Sequence, residues 1–197
     1  MTDVAAQEPD DQRLFEIAVG DPGGPAGRAA ASRLLGRHQR QVYLWCRRYV
    51  RDHERALDLA QDVLLSAHRS MAGFEGRARF SSWLFAIARN KCLNSVAAKR
   101  LLVDDHTDPD AVPDATPPPE AALELEQDEE RVRRILIEHL DPLEREALWL
   151  SCFERMPVEE ITRVLHLDNA TGARGLLQRA RRRLRAALDR EHLKERP

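Results

Sequence analysis

Apolar residues recur at three- and four-residue spacing through two long stretches of this chain and almost vanish between them. That spacing places them on one face of a helix. No segment sustains the two-residue alternation of a half-buried strand. The expected fold is therefore all-α: two small helical domains over 12–101 and 122–190, joined by a linker over 102–121. The linker reads LVDDHTDPDAVPDATPPPEA, an acidic, proline-rich composition that favours an extended, flexible spacer. No internal repeat is visible.

Within the first stretch a short helix is expected over about residues 12–19, broken by Gly20-Asp21-Pro22-Gly23-Gly24-Pro25. A longer helix runs through LLGRHQRQVYLWCRRYV and a third through ERALDLAQDVLLSAHRSM. The third helix carries Leu57, Ala60, Val63, Leu64 and Ala67 on its apolar face, with Asp58, Gln61 and Asp62 opposite. A loop with two glycines and two arginines leads to Phe80, and Ser81 is the expected N-cap of the next helix. Clustered aromatics (Phe74, Phe80, Trp83, Phe85) lie beside Arg77, Arg79, Arg89 and Lys91 in a chain with only 5% aromatic residues. Aromatic faces and cations together suit stacking on unpaired bases. Trp83 and Phe85 read equally well as core residues, and Phe80 with the loop arginines as exposed.

In the second stretch, Asp141, Pro142 and Glu144 form an N-cap, first-turn proline and capping-box pattern. A second helix starts at Pro157, with Val158, Ile161 and Leu165 on one face. After a break at His166-Leu167-Asp168-Asn169, with Asp168 or Asn169 as cap, a third helix follows. Its apolar stripe is Ala173, Leu176, Leu177, Ala180, Leu184 and Leu188, and Arg174, Gln178, Arg181 and Arg185 line another face. Helix, short turn, then a helix with a basic outer face is the helix-turn-helix arrangement, whose second helix enters the major groove.

Charge changes this picture more than composition does. The net charge of -2 conceals a strong asymmetry. Residues 101–130 hold eleven carboxylates and no lysine or arginine, whereas 170–197 hold nine lysines or arginines against three carboxylates. The basic end is the electrostatic footprint of a phosphate-backbone binder. Lys91, Lys99 and Lys194 are the only lysines, so the cations are mainly arginine, whose planar fork matches phosphate.

The two stretches together resemble extracytoplasmic-function sigma factors of the bacterial sigma-70 family. DLAQDVLLSAHRSMAGF and RARFSSWLFAIARNKCLN resemble their region two. LDPLEREALWL and PVEEITRVLHLDNATGARGLLQRARRRL resemble their region four. The resemblance implies that Asp58, Leu59, Gln61 and Asp62 dock on core RNA polymerase. It implies that Arg77, Arg79, Phe80, Ser81, Ser82, Trp83, Arg89 and Asn90 engage the promoter's −10 element. It assigns Thr171, Arg174, Gln178, Arg179 and Arg181 to the −35 element. Three departures stand out: His166 replaces the family's turn glycine, Thr162 replaces a small alanine, and LDNATGARG is one residue longer than usual. Gly172 and Gly175 are expected to weaken the recognition helix by about 1 kcal/mol each relative to alanine.

The function implied is that of a non-enzymatic factor directing RNA polymerase to promoter DNA and assisting melting. An anti-sigma partner is left open. The alternative is a helix-turn-helix regulator acting on duplex DNA without polymerase, for which a single-strand platform has no use. No Gly-rich phosphate loop, H-E-x-x-H or serine elbow suggests an enzyme. The scattered histidines suggest no metal site, and no cofactor is expected. Cys46, Cys92 and Cys152 form no C-x-x-C and read as buried small residues in a reducing cytoplasm. No apolar run is long enough for membrane insertion.

Overall fold

The computed structural model describes residues 9–50, 52–102, 131–168 and 170–194. All regular structure among them is helical. The linker expected over 102–121 lies, apart from its first residue, outside the described residues. The chain divides into two compact units, 1–107 and 108–197.

In the first unit, α1 (Asp11–Gly20) begins where the Asp10 side chain accepts the Arg13 amide. It ends at the Asp21-Pro22-Gly23-Gly24 turn. α2 (Pro25–Tyr49) then starts with proline at its first position, where the missing amide costs nothing. α3 (His53–Ser70) is capped by Asp52, which accepts the Arg55 amide at 2.7 Å. A 3-10 turn, Met71–Gly73, precedes the loop into α4 (Phe80–Leu102). α2 packs against all three other helices. Leu34, Val42, Trp45 and Cys46 meet Ala56, Val63, Leu84, Phe85 and Cys92 in the core. Arg55 bridges α3 to α4 through the Ser95 carbonyl and hydroxyl, at 2.8 and 2.7 Å.

Two details of this unit differ from expectation. α3 buries Ala56, Leu59, Ala60, Val63 and Ala67, while Leu57 is exposed and Leu64 half-buried. The buried arc is rotated by about 50°, half a residue's turn, because α3 must face both α2 and α4. Ser81 is not the N-cap of α4. The helix begins at Phe80, and the Arg79 carbonyl accepts the Ser82 and Trp83 amides.

The second unit opens with a helix over 131–139, α5. α6 (Pro142–Cys152) starts in the expected capping box: Asp141 accepts the Glu144 amide, and Glu144 accepts the Asp141 amide in return. α7 (Val158–Val164) follows Pro157, and α8 (Gly172–Lys194) follows the turn. Asp168 does not cap α8, which starts four residues later, and Asn169 lies outside the described residues. Ala173, Leu176, Leu177, Ala180 and Ala187 are buried, with Leu184 half-buried and Leu188 39% exposed. The apolar stripe takes in Ala187 because the seven residues from Ala180 fall only about 20° short of two full turns.

Candidate nucleic-acid interface

α3 presents a polar outer face. Glu54, Asp58, Gln61 and Asp62 are exposed along it, at the three- and four-residue spacing of one helix surface. Leu59 does not share it. It is 8% exposed and packs inward, so it supports the face from beneath. Sequence reading missed Leu65, which is 54% exposed at the C-terminal end of this row. An exposed leucine flanked by Gln61 and Asp62 on one side and His68 and Arg69 on the other has the composition of a small docking surface, an apolar spot with a polar rim.

The loop before α4 is organised by an aromatic cluster. Phe74 lies 4.9 Å from Phe15 of α1, 5.9 Å from Phe80 and 5.1 Å from Trp83, measured between ring centroids. Phe80 also stacks near Trp83 and His38, at 5.3 and 5.4 Å. The expected exposure of Phe80 is therefore overturned. It is 7% exposed, because α1 folds over the start of α4 and its Phe15 closes the cluster. Sequence periodicity could not show this, since α1 reaches the loop only through the tertiary fold. Ser82 is buried too, Phe85 packs edge-on to Trp45, and Trp83 remains half-buried at the rim.

The groups left at the surface are Arg77, Arg79 and Asn90, with Ser81 and Arg89 half-buried. Arg77 pairs with Glu75 at 2.7 Å in an exposed ion pair, the kind that contributes little to stability and yields readily to a phosphate. His38 is held by Asp11 at 2.8 Å, and Arg37 by the same carboxylate at 3.1 Å. These contacts fasten α1 onto α2 beneath the loop.

In the second unit α7, the turn and α8 form a helix-turn-helix. Arg174, Gln178, Arg181 and Arg185 are exposed on one face of α8, opposite its buried alanines and leucines. Arg179 is also exposed but stands about 140° round the helix from Arg174, since each residue turns about 100°. The two side chains therefore leave the helix in different directions. Thr171 is exposed just ahead of the helix. Among the described residues no group of three or more His, Cys, Asp or Glu could hold a metal ion. No helix among the described residues is long and apolar enough to cross a membrane.

Comparison with known proteins bears on this arrangement. Residues 34–101 match the family described as Sigma-70 region 2, and 134–184 match Sigma-70, region 4. The RNA polymerase sigma-H factor of Pseudomonas aeruginosa is 30% identical over 194 residues, covering 92% of this chain and 95% of its own. The chain belongs to the extracytoplasmic-function sigma factors of the sigma-70 family. It is similar to the ECF RNA polymerase sigma factor SigM of Mycobacterium tuberculosis, at 43% identity over 34% of each chain. Among solved structures it resembles CnrH, in complex with the cytosolic domain of CnrY. That match has a TM-score of 0.59 and 26% identity, covering 91% of this chain and 97% of CnrH. As a sigma factor it directs RNA polymerase to promoters in transcription initiation.

This sigma factor keeps the helix-turn-helix despite its departures in sequence. His166 adopts φ 52 in the turn, the left-handed conformation that explains glycine at that position. Gly172 has φ 50, and a Cβ there would lie 2.7 Å from Thr162 Oγ1. Gly175 gives the Thr171 side chain room to lie against the helix. Both glycines are thus required by close approach, and the expectation that they merely weaken the helix is corrected. Arg183 was also missed. It reaches back to the buried Glu144 at 2.7 Å and approaches Asp141 at 3.8 Å, tying α8 to the start of α6.

The cysteines divide two to one. Cys46 and Cys92 are fully buried, and Cys152, expected to be buried, is exposed where α6 ends. A hydrogen bond with Cys46, reinforced by burial, pushes the Cys92 thiol far above its ordinary range, which keeps it protonated and inert.

Proposed function

We propose that the sigma factor divides its work between two domains, 12–101 and 122–190, separated by the spacer over 102–121. The outer face of α3 docks on core polymerase through Asp58, Gln61 and Asp62, with Leu65 at its C-terminal end and Leu59 holding the face from beneath. The loop and the start of α4 handle the opened −10 strand. Arg77, Arg79, Arg89 and Asn90 grip its phosphates and edges, Ser81 offers a hydroxyl, and the rim of Trp83 a stacking surface. Phe80 and Ser82 position that surface from within the core. α8 enters the −35 major groove with Arg174, Gln178 and Arg181, while Thr171 and Arg179 hold phosphate on the flanks.

The observation that carries this reading is the pairing, in one small helical unit, of an acidic docking face and a cationic loop over an aromatic cluster. A protein that only grips duplex DNA needs neither. The factor acts without catalysing a reaction of its own, in the cytoplasm where polymerase works. CnrH is recorded in complex with CnrY, and we extend that to an anti-sigma protein as the regulator here.

The test is co-elution with core polymerase, followed by transcription from promoter fragments. The Asp58→Arg/Asp62→Arg variant should fold normally yet lose core binding, since opposing like charges across an interface cost several kcal/mol. Undiminished affinity would return the α3 face to plain solvated surface.

A further inference from the structure

The outer face of α2 carries a charge pattern that none of these sites uses. Pro25–Tyr49 contains six arginines and no aspartate or glutamate. With about 100° of turn per residue, five of them (Arg33, Arg37, Arg40, Arg47 and Arg48) fall within an arc of about 100°. The opposite side of the helix is the buried one, with Leu35, Val42 and Cys46. Arg33, Arg37, Arg40 and Arg48 are exposed and Arg47 is half-buried. From Arg33 to Arg48 the stripe runs about 22 Å at 1.5 Å of rise per residue.

A solvated helix face ordinarily mixes signs, because like charges three and four residues apart destabilise a helix. Here the helix itself supplies no carboxylate, and Asp11 of α1 holds Arg37 at 3.1 Å. A protein-binding surface is built round an apolar centre, yet Leu44, 41% exposed, is the large apolar side chain this stripe offers among the described residues. A straight row of one-sign arginine forks instead matches a linear array of phosphates. Each strand of duplex DNA presents one about every 3.4 Å of axis.

We propose that the α2 stripe is a third DNA contact, gripping the phosphate backbone of promoter DNA separately from the α4 loop and α8. This goes beyond the reading above, and the DNA binding is measured without polymerase, with core binding assayed separately. The full chain carrying Arg33→Ala, Arg40→Ala and Arg48→Ala is compared with a charge-matched control, Arg13→Ala/Arg28→Ala/Arg69→Ala, whose changes lie off the stripe. Binding to a promoter duplex and to its separate non-template strand is measured by fluorescence anisotropy against salt concentration. The stripe variant should flatten the log–log salt slope by about 2–3 units on duplex, or about 2 on single strand, and the control by less than one. The arm that responds identifies the form of DNA held. Slopes equal to wild type on both DNAs overturn the proposal. So does a variant that keeps its DNA slopes but no longer binds core polymerase, which would make the stripe a protein contact. Circular dichroism checks the fold, and if the triple variant melts early, Arg40→Glu alone decides by the same slope.

Discussion

The hydroxyl of Thr162, on α7, accepts a hydrogen bond from the backbone amide of Ala173 at the start of α8, 2.9 Å away. It donates in turn to the Val158 carbonyl, also at 2.9 Å. One side chain therefore caps the recognition helix and fixes its distance from the helix that supports it. The neighbouring Gly172 has no Cβ to collide with Thr162, so threonine and glycine fit as a pair.

Gly172→Ala should accordingly destabilise the second unit by about 1–3 kcal/mol, through left-handed backbone strain and overpacking. Thr162→Ala should lose about 0.5–2 kcal/mol as a cap is removed. Because the alanine at 162 also clears the collision, the double variant should be less destabilised than the sum of the two. Denaturant unfolding of the four proteins gives the coupling energy, and strict additivity would show that the two sites do not meet.

Arg183 and Arg181 should fail in different ways. Arg183→Ala leaves the Glu144 carboxylate, 1% exposed, without its cation. Breaking a buried pair costs about 3–5 kcal/mol, and because Arg183 is 51% exposed a smaller loss of about 1–2 kcal/mol is expected from the screening of its outer half. Arg181→Ala should leave the melting temperature unchanged and reduce the salt slope of promoter binding by about one unit. A thermal melt and a salt titration on both variants separate the structural arginine from the DNA-facing one.

Phe80→Ala removes a ring at the centre of the Phe15–Phe74–Trp83 cluster and should cost about 3–5 kcal/mol of folding stability. Arg79→Ala should fold as wild type and weaken promoter opening instead. Permanganate reactivity of unpaired thymines, read beside a melting curve, checks both. A Phe80→Ala protein that melts normally but cannot open DNA would return Phe80 to the base-contacting surface.

The thiols should react in two classes. In the folded protein Cys152 should label with a maleimide within minutes, while Cys46 and Cys92 stay protected until denaturant is added, because burial shields them and the raised pKa of Cys92 denies it the reactive thiolate. The two buried thiols should remain unlabelled as the pH rises through the ordinary cysteine range, where Cys152 labels faster. Mass spectrometry of native and unfolded samples counts the sites.

The helices, their order and much of their capping were legible in the sequence, because each follows from local chemistry. Apolar spacing sets a helical face, Asp141 and Glu144 close a capping box within four residues, and Pro142 opens its helix from the first position. The exposed faces of α3 and α8 were legible for the same reason: three- and four-residue spacing brings Asp58 beside Asp62 and Arg174 beside Gln178 whatever the helix packs against. The tertiary structure decided everything that depends on a neighbour distant in sequence. Phe80 is buried because Phe15, sixty-five positions earlier, covers it. Leu57 is outside and Ala56 inside because α3 serves two partner helices. Arg183 turns from DNA toward Glu144, thirty-nine residues away, and Gly172 is needed because Thr162 stands across the turn. A helix's periodicity names its faces, but which partner covers each face is decided only when the helices pack.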